Sequence, residues 1–304
     1  MIATQLAIIG AGVAGLRAAA SAARAGVSVL VVDRMGAGGQ VLNVERIANF
    51  PGHPDGISGF ELGPLLQEEA EQAGAGFLLD TVESLRPEGA DFILQCSGDA
   101  VRARAVIVAA GSVLRKLDVP GEERLEGRGV SHCAGCDGPL FRGDRVCVIG
   151  GGDSALGEAA VLAQHARQVT LLFRGEAPHA QAYLREALEG LPNVQLVPNA
   201  DVVEILGDNA VTGVRLRDGR SFEAEGVFAY AGLQADSDFL AGLLERDGAG
   251  RIVTDDRMRS SQPGLFAAGD IRAGASYLLA DAASEGVQAT TAAIDYLKED
   301  RRQA

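Results

Sequence analysis

Two cysteines, Cys133 and Cys136, with an acid directly after them at Asp137, are the residues of this 304-residue chain best placed to do chemistry. The chain has four cysteines in all, too few for a disulfide framework at this length, and Cys96 and Cys147 stand apart from the pair. In a reducing compartment a C-x-x-C pair is either catalytic or metal-binding. A structural zinc site needs four ligands, so a second pair or a histidine cluster would have to complete it. His132 is the one neighbouring candidate, with His53, His165 and His179 scattered, and no metal is expected. His132 has another use, because an imidazole beside Cys133 could stabilise a thiolate or move a proton. Cys147 lies inside an apolar run and Cys96 closes one, which reads as core packing for both.

A second kind of chemistry is written in glycine. Residues 6–9 are apolar, Gly10-Ala11-Gly12-Val13-Ala14-Gly15 turns the chain, residues 16–25 are alanine-rich and helical, and residues 27–32 form another apolar run ending at Asp33. This is a strand–turn–helix–strand unit. Gly10 permits the tight turn, Gly12 lets a pyrophosphate approach the helix N-terminus, and Gly15 lets helix and strand pack closely. Asp33, at the end of the second strand, can accept hydrogen bonds from a ribose. The same grammar returns about 140 residues later, where a strand over 145–149 leads into Gly150-Gly151-Gly152-Asp153-Ser154-Ala155, a helix over 156–164 and a strand over 169–173. Two such units imply two dinucleotides, or one dinucleotide and a relic. Between them a buried strand over 105–111 ends at Gly111, and near the C-terminus Phe266-Ala267-Ala268-Gly269-Asp270 repeats the pattern of an apolar strand closing on an acid, followed by a helix over about 280–298. The fold class is α/β, with two Rossmann-like, three-layer dinucleotide-binding domains, the second inserted into the first. Residues 1–113 and 243–304 form one domain and residues 114–242 the other.

Composition narrows the partners. The 47% apolar content suits a packed core, and 40 glycines against 10 prolines suit many tight turns in a regular scaffold. Net charge is −14, from 27 basic and 41 acidic side chains, a surface that repels phosphate backbones and anionic lipid. Neither a nucleic acid nor a membrane is expected as partner. No apolar run reaches the length of a membrane span, and the first residues lack a basic segment and cleavage site, so the expected location is the cytoplasm.

The order and spacing of several motifs resemble the low-molecular-weight thioredoxin reductases, FAD-dependent pyridine-nucleotide disulfide oxidoreductases, over essentially the whole chain. The resemblance is carried by the first glycine turn, Gly38-Gly39-Gln40, Asn49-Phe50-Pro51-Gly52, Ala110-Gly111, Val119-Pro120-Gly121-Glu122, Cys133-Ala134-Gly135-Cys136-Asp137-Gly138, the second glycine turn, and residues 266–270. It implies FAD in the first domain, with Gly10, Gly12, Gly15, Asp33, Gln40, Asn49, Gly111, Gly269 and Asp270 as contacts. It implies NADPH or NADH in the inserted domain, at Gly150, Gly152, Asp153, Ser154, Ala155 and Arg174. A nicotinamide gives two electrons as hydride, the flavin holds them, and a dithiol passes them on by thiolate attack and a mixed disulfide. By the same resemblance Cys136 faces the flavin, Cys133 attacks the substrate and Asp137 protonates the leaving thiol. The implied assembly is a homodimer, and the implied partner a thioredoxin-like protein or a small disulfide or dithiol. The resemblance further implies rotation of the inserted domain, with hinges near 114–121 and 232–237.

Two departures stand out. Where the family carries His-Arg-Arg and a further Arg for the 2′-phosphate, this chain has Phe173-Arg174-Gly175 and then His179, with Glu176 adding a negative charge. NADH, or no nicotinamide at all, therefore stands beside NADPH. After Asp270, a Tyr-Arg-Gln-Ala segment is replaced by Ser276-Tyr277-Leu278-Leu279. Both changes are compatible with a dithiol oxidase passing electrons to oxygen, or with a ferredoxin-dependent reductase. A non-catalytic redox sensor that keeps FAD for stability is the reading from a different class.

Overall fold

The computed structural model describes residues 1–240 and 242–303. The chain divides into two compact units, Met1–Val113 with the return segment from Gln234, and Leu114–Leu233. It begins with β1 (Ile2–Ile9), α1 (Val13–Arg24), β2 (Val29–Asp33), α2 (Gly59–Gln72), β3 (Gly76–Leu79), β4 (Val82–Glu88), β5 (Asp91–Cys96), β6 (Val101–Val108) and β7 (Ser112–Leu114). The next unit holds β8 (Val130–Ser131), α3 (Ala134–Asp137), β9 (Arg145–Ile149), α4 (Asp153–Leu162), β10 (Gln168–Leu172), α5 (Ala182–Glu189), β11 (Val194–Val197), β12 (Val202–Leu206), β13 (Gly213–Leu216), β14 (Ser221–Glu223) and β15 (Gly226–Ala229). The return runs through β16 (Leu233–Ala235), β17 (Leu265–Ala267) and α6 (Leu279–Gln303).

In the first unit the strand order is β3-β2-β1-β6-β5-β4, with β17 pairing the second half of β6. The β1–β2, β1–β6, β2–β3 and β6–β17 pairs are parallel, and β4–β5 is an antiparallel hairpin that continues onto β6. Parallel strands buried on both faces explain the unbroken apolar runs: Leu6, Ala7, Ile8, Val106, Ile107 and Val108 are all fully buried. One face packs Leu6, Ile8 and Ile107 with the alanines of α1 and α6. The other packs Ala7, Val106 and Val108 with Phe92, Leu94 and Leu240. Small residues let the two helices lie close, and a side chain on Gly286 would collide with the Ala14 carbonyl.

The other unit is built on a parallel sheet of order β11-β10-β9-β15-β8 and a three-stranded antiparallel sheet, β12-β13-β14. Residues 234–240 and 242, expected with the inserted domain, lie instead with the first unit, and residue 241 lies outside the described residues. Ala235 and Leu240 are buried there among Phe92, Ile252 and Leu265, so the apolar spacing of this stretch serves the first core. Among the described residues, no helix is long and apolar enough to cross a membrane.

Candidate functional site

In each unit a glycine turn joins a parallel strand, β1 or β9, to a helix at the carboxyl edge of the sheet, where ligands of open α/β sheets bind. Gly10 adopts φ +105°, and a side chain there would run into the Ala109 carbonyl. Gly15 backs so tightly onto Gly10 that a Cβ would meet its carbonyl oxygen. Gly12, the N-cap of α1, has open space where a Cβ would stand, no side chain caps the helix, and its first turn carries no acid. Free amide groups and a positive helix end therefore face an open cleft.

The cleft lies wholly within the first unit. Its walls include Gly10, Gly12, Asp33, Gln40, Gly111, Gly269 and Asp270, which the resemblance had assigned to FAD. Asp33 accepts the amides of Ala11 at 2.7 Å, Met35 at 2.8 Å and Gly36 at 2.8 Å, so most of its lone pairs hold the turn itself. Gln40 Nε2 donates to Ser112 O at 3.0 Å, fixing one wall to another. Asn49 is exposed and is not among the residues lining the cleft, whereas Asn43, Asp80, Asp236 and Phe239, which the motif reading passed over, are. Asn43 closes the short helical turn that Gly39 opens, and the other three come from segments whose sequence carries no glycine signature. Tyr277, from the departing C-terminal segment, also lines it, at φ +59° and 44% exposed.

Asp270 is held from behind. The buried Arg272–Glu285 ion pair underlies its loop, and Glu285 also accepts the Gly269 amide at 2.8 Å. Burial, with the Glu285 carboxylate adding to it, holds the Asp270 carboxyl above the usual carboxylate range. Open space at Gly12, uncapped amides and a partly buried carboxyl in the wall fit a flavin dinucleotide.

The second turn has the same backbone and different surroundings. Gly150 adopts φ +145° and backs onto the Tyr230 carbonyl. Gly152 caps α4 without a side-chain partner. Here, however, His179 donates its amide to Gly151 O at 2.9 Å, and its ring stands over Gly151 and Gly152. Asp153 accepts the Gln181 amide at 2.8 Å and also its side chain. Ser154 is exposed, and Ala155 is buried against the turn. Arg174 is exposed and pairs with Asp201 at 3.6 Å; Asp201 also binds Arg217 at 2.6 Å. Arg217 arrives from 43 residues downstream, and no local motif announces it. The amides at the α4 N-terminus and the His179 ring fit a nicotinamide dinucleotide.

Cys133 and Cys136 form a disulfide with Cα atoms 5.3 Å apart. Cys133 is the N-cap of α3 and receives the Cys136 amide on its sulfur at 3.2 Å. Ser131 orders the segment from both sides. Its hydroxyl accepts the Cys133 amide at 3.2 Å and donates to Asp137 Oδ2 at 2.7 Å. The His132 ring turns elsewhere, with Nδ1 3.2 Å from Ala229 O and Nε2 3.3 Å from Glu126 Oε2. Cys96 and Cys147 are free and buried, and burial pushes their thiols up to about 11 and about 12, in keeping with inert core positions.

The family model described as pyridine nucleotide-disulphide oxidoreductase matches residues 4–295. A thioredoxin reductase of Treponema pallidum (strain Nichols) is 38% identical over 298 residues, spanning 95% of this chain and 96% of that protein. Among solved structures, thioredoxin reductase of Lactococcus lactis is similar with a TM-score of 0.94 at 34% identity, covering 97% of this chain and 99% of that one. That of T. acidophilum gives 0.92 at 33% identity, with the same two shares.

Proposed function

The chain belongs to the thioredoxin reductases among the pyridine nucleotide-disulphide oxidoreductases, and from that premise we propose that it reduces the disulfide of a thioredoxin-like protein with electrons from NADPH or NADH. Bound FAD would supply storage for two electrons between the hydride donor and the protein disulfide. Its holders would be the amides around Gly12, the Gln40 side chain and Asp270. The observation that carries the reading is the Cys133–Cys136 disulfide at the opening of α3, with the adjacent Asp137 anchored by Ser131.

Two electrons and one proton from solvent break that bond and leave a thiolate on Cys133 and a thiol on Cys136. The Cys133 thiolate attacks one sulfur of the partner's disulfide, forming a mixed disulfide, and the departing partner sulfur takes a proton from Asp137. Cys136 passes its proton to the Asp137 carboxylate and, as thiolate, attacks Cys133. The intramolecular disulfide closes again and the partner's second sulfur leaves as a thiol after protonation. Ser131 keeps Asp137 beside the pair throughout.

The chain acts as a homodimer in the cytoplasm, without nucleic acid or membrane. Phe60 and Leu65, 65% and 47% exposed on α2, support a covered face on the first unit. Anaerobic mixing of the purified yellow protein with NADPH, NADH and dithiothreitol in parallel tests the function. Bleaching by a nicotinamide, followed by reduction of thioredoxin, is the expected result. Bleaching by dithiothreitol alone would overturn it in favour of a dithiol oxidase or a ferredoxin-fed reductase, a reading favoured by the Arg174–Asp201 pairing.

A further inference from the structure

Glu158 has no part in the steps above, yet it touches the redox helix directly. It stands on α4, the helix opened by the second glycine turn, and its Oε2 accepts the Ala134 amide at 2.7 Å and the Tyr230 hydroxyl at 3.1 Å. Ala134 is the first residue of α3, so this amide is the one next to Cys133. Tyr230 is 8% exposed, and burial, reinforced by the Glu158 carboxylate, holds its hydroxyl in the neutral phenol form.

Free amides at the start of a helix favour a thiolate at the N-cap. A carboxylate bonded to the first of those amides does the opposite. It acts through its charge, placed on the amide that follows Cys133, and so favours the protonated thiol, while the amide that reaches the Cys133 sulfur remains that of Cys136. Two further ionisable groups flank Cys133 in the chain: Asp137 on the same helix, bonded to Ser131, and His132, whose ring faces Ala229 O and Glu126. Neither engages the Ala134 amide.

We propose that Glu158, steadied by Tyr230, is a positioning residue that holds back thiolate formation at Cys133 and thereby makes the Cys133/Cys136 dithiol a stronger reductant. The inference rests on the disulfide-reductase reading for its purpose. The balance is simple: two electrons break the S–S bond, and the proton that solvent supplies to Cys133 stays on the sulfur to higher pH. A reduced form whose thiolate is disfavoured gives up its electrons more readily, since stabilising the thiolate is what makes a dithiol–disulfide couple oxidising.

The test is the pH dependence of iodoacetamide alkylation at Cys133, followed by peptide mass spectrometry, in the flavin-bound Cys136→Ser protein with and without Glu158→Gln. The alkylation midpoint should fall by about one pH unit in Glu158→Gln, the scale of removing a nearby charge. Glu158→Asp, which keeps the charge, should stay close to the parent. In the protein with both cysteines, Glu158→Gln should raise the reduced fraction of the pair in a fixed dithiothreitol redox buffer. Superimposable profiles in folded, yellow protein would overturn the proposal. Should Glu158→Gln fail to fold, the parent profile decides alone: a midpoint well below about 7, as at unopposed helix N-termini, sinks the idea. Alkylation needs neither nicotinamide nor thioredoxin, so failure here and failure of the reductase reading are separate results.

Discussion

The two glycine turns of this chain have nearly the same sequence grammar and meet different company. At the first, Gly12 opens onto a cleft whose walls all come from its own unit, and α1 begins without an acid. At the second, Asp153 opens α4, Gln181 binds it, and the His179 ring covers Gly151 and Gly152. What the pair shares is the contact behind the turn, where Gly10 backs onto Ala109 and Gly150 onto Tyr230. The glycines therefore specify how a turn seats against the neighbouring strand. What the turn receives depends on the residues in front of it. A walled cleft suits a resident group, and a turn under an exposed segment suits a ligand that arrives and departs.

Breaking the first turn should have the largest effect. Gly10→Ala forces a side chain into the Ala109 carbonyl at a backbone angle that only glycine adopts easily. The variant should be isolated colourless, with a stability loss of about 3 kcal/mol in denaturant titration, typical of strain at such a position. Retention of stoichiometric flavin would contradict the resident-site assignment. Gly152→Ala is milder, because its Cβ would sit 3.1 Å from a movable His179 Nε2. Flavin content should stay at the parent level while nicotinamide affinity drops about tenfold, a cost near 1.4 kcal/mol. Fluorescence titration of both variants with both nicotinamides separates the two turns cleanly.

The turns and the strands behind them were legible because their constraints are local: an apolar run, glycines at fixed offsets, an acid at a strand end. The cysteine pair was legible for the same reason, and the disulfide is formed. Asn49, read as a flavin contact from its motif, is exposed and outside the residues lining the cleft, while Asn43, six residues earlier, lines it. The return to the first unit at Gln234 was read too late, since the short apolar spacing of 234–242 fits either core. Glu158, Asp201 and Arg217 were missed for a deeper reason. Each matters through a partner 16 to 72 residues away, and no periodicity encodes that pairing.

A buried acid in the wall of the first cleft has no equal at the second turn, and pH exposes the difference. Asp270 has its carboxyl raised in the folded protein, first by burial and then by Glu285. The folded state therefore keeps a proton that the unfolded chain has already released. Stability must fall as pH rises from the ordinary carboxylate range through the raised value. Asp270→Asn should abolish that fall in the flavin-free protein, as followed by thermal unfolding across pH. Parallel curves for parent and variant would mean that Asp270 does not carry the dependence.

The smallest expected effect concerns the 2′-phosphate. Arg174 is the one arginine left at the end of β10, and Asp201 stands against it, with Arg217 on the same carboxylate. All three side chains are exposed to water, so each pairing is weak and salt-sensitive. Asp201→Asn leaves the hydrogen-bonding shape and removes the competing charge, freeing both guanidinium groups for a phosphate dianion. NADPH should then bind about two- to fivefold more tightly and NADH unchanged, the range that loss of an exposed ion pair allows. The gain should shrink as salt is added. Arg174→Ala should reverse it, lowering NADPH affinity alone. Equal shifts for the two nicotinamides would place the adenosine ribose away from the end of β10, and the second turn would differ from the first in more than its covering.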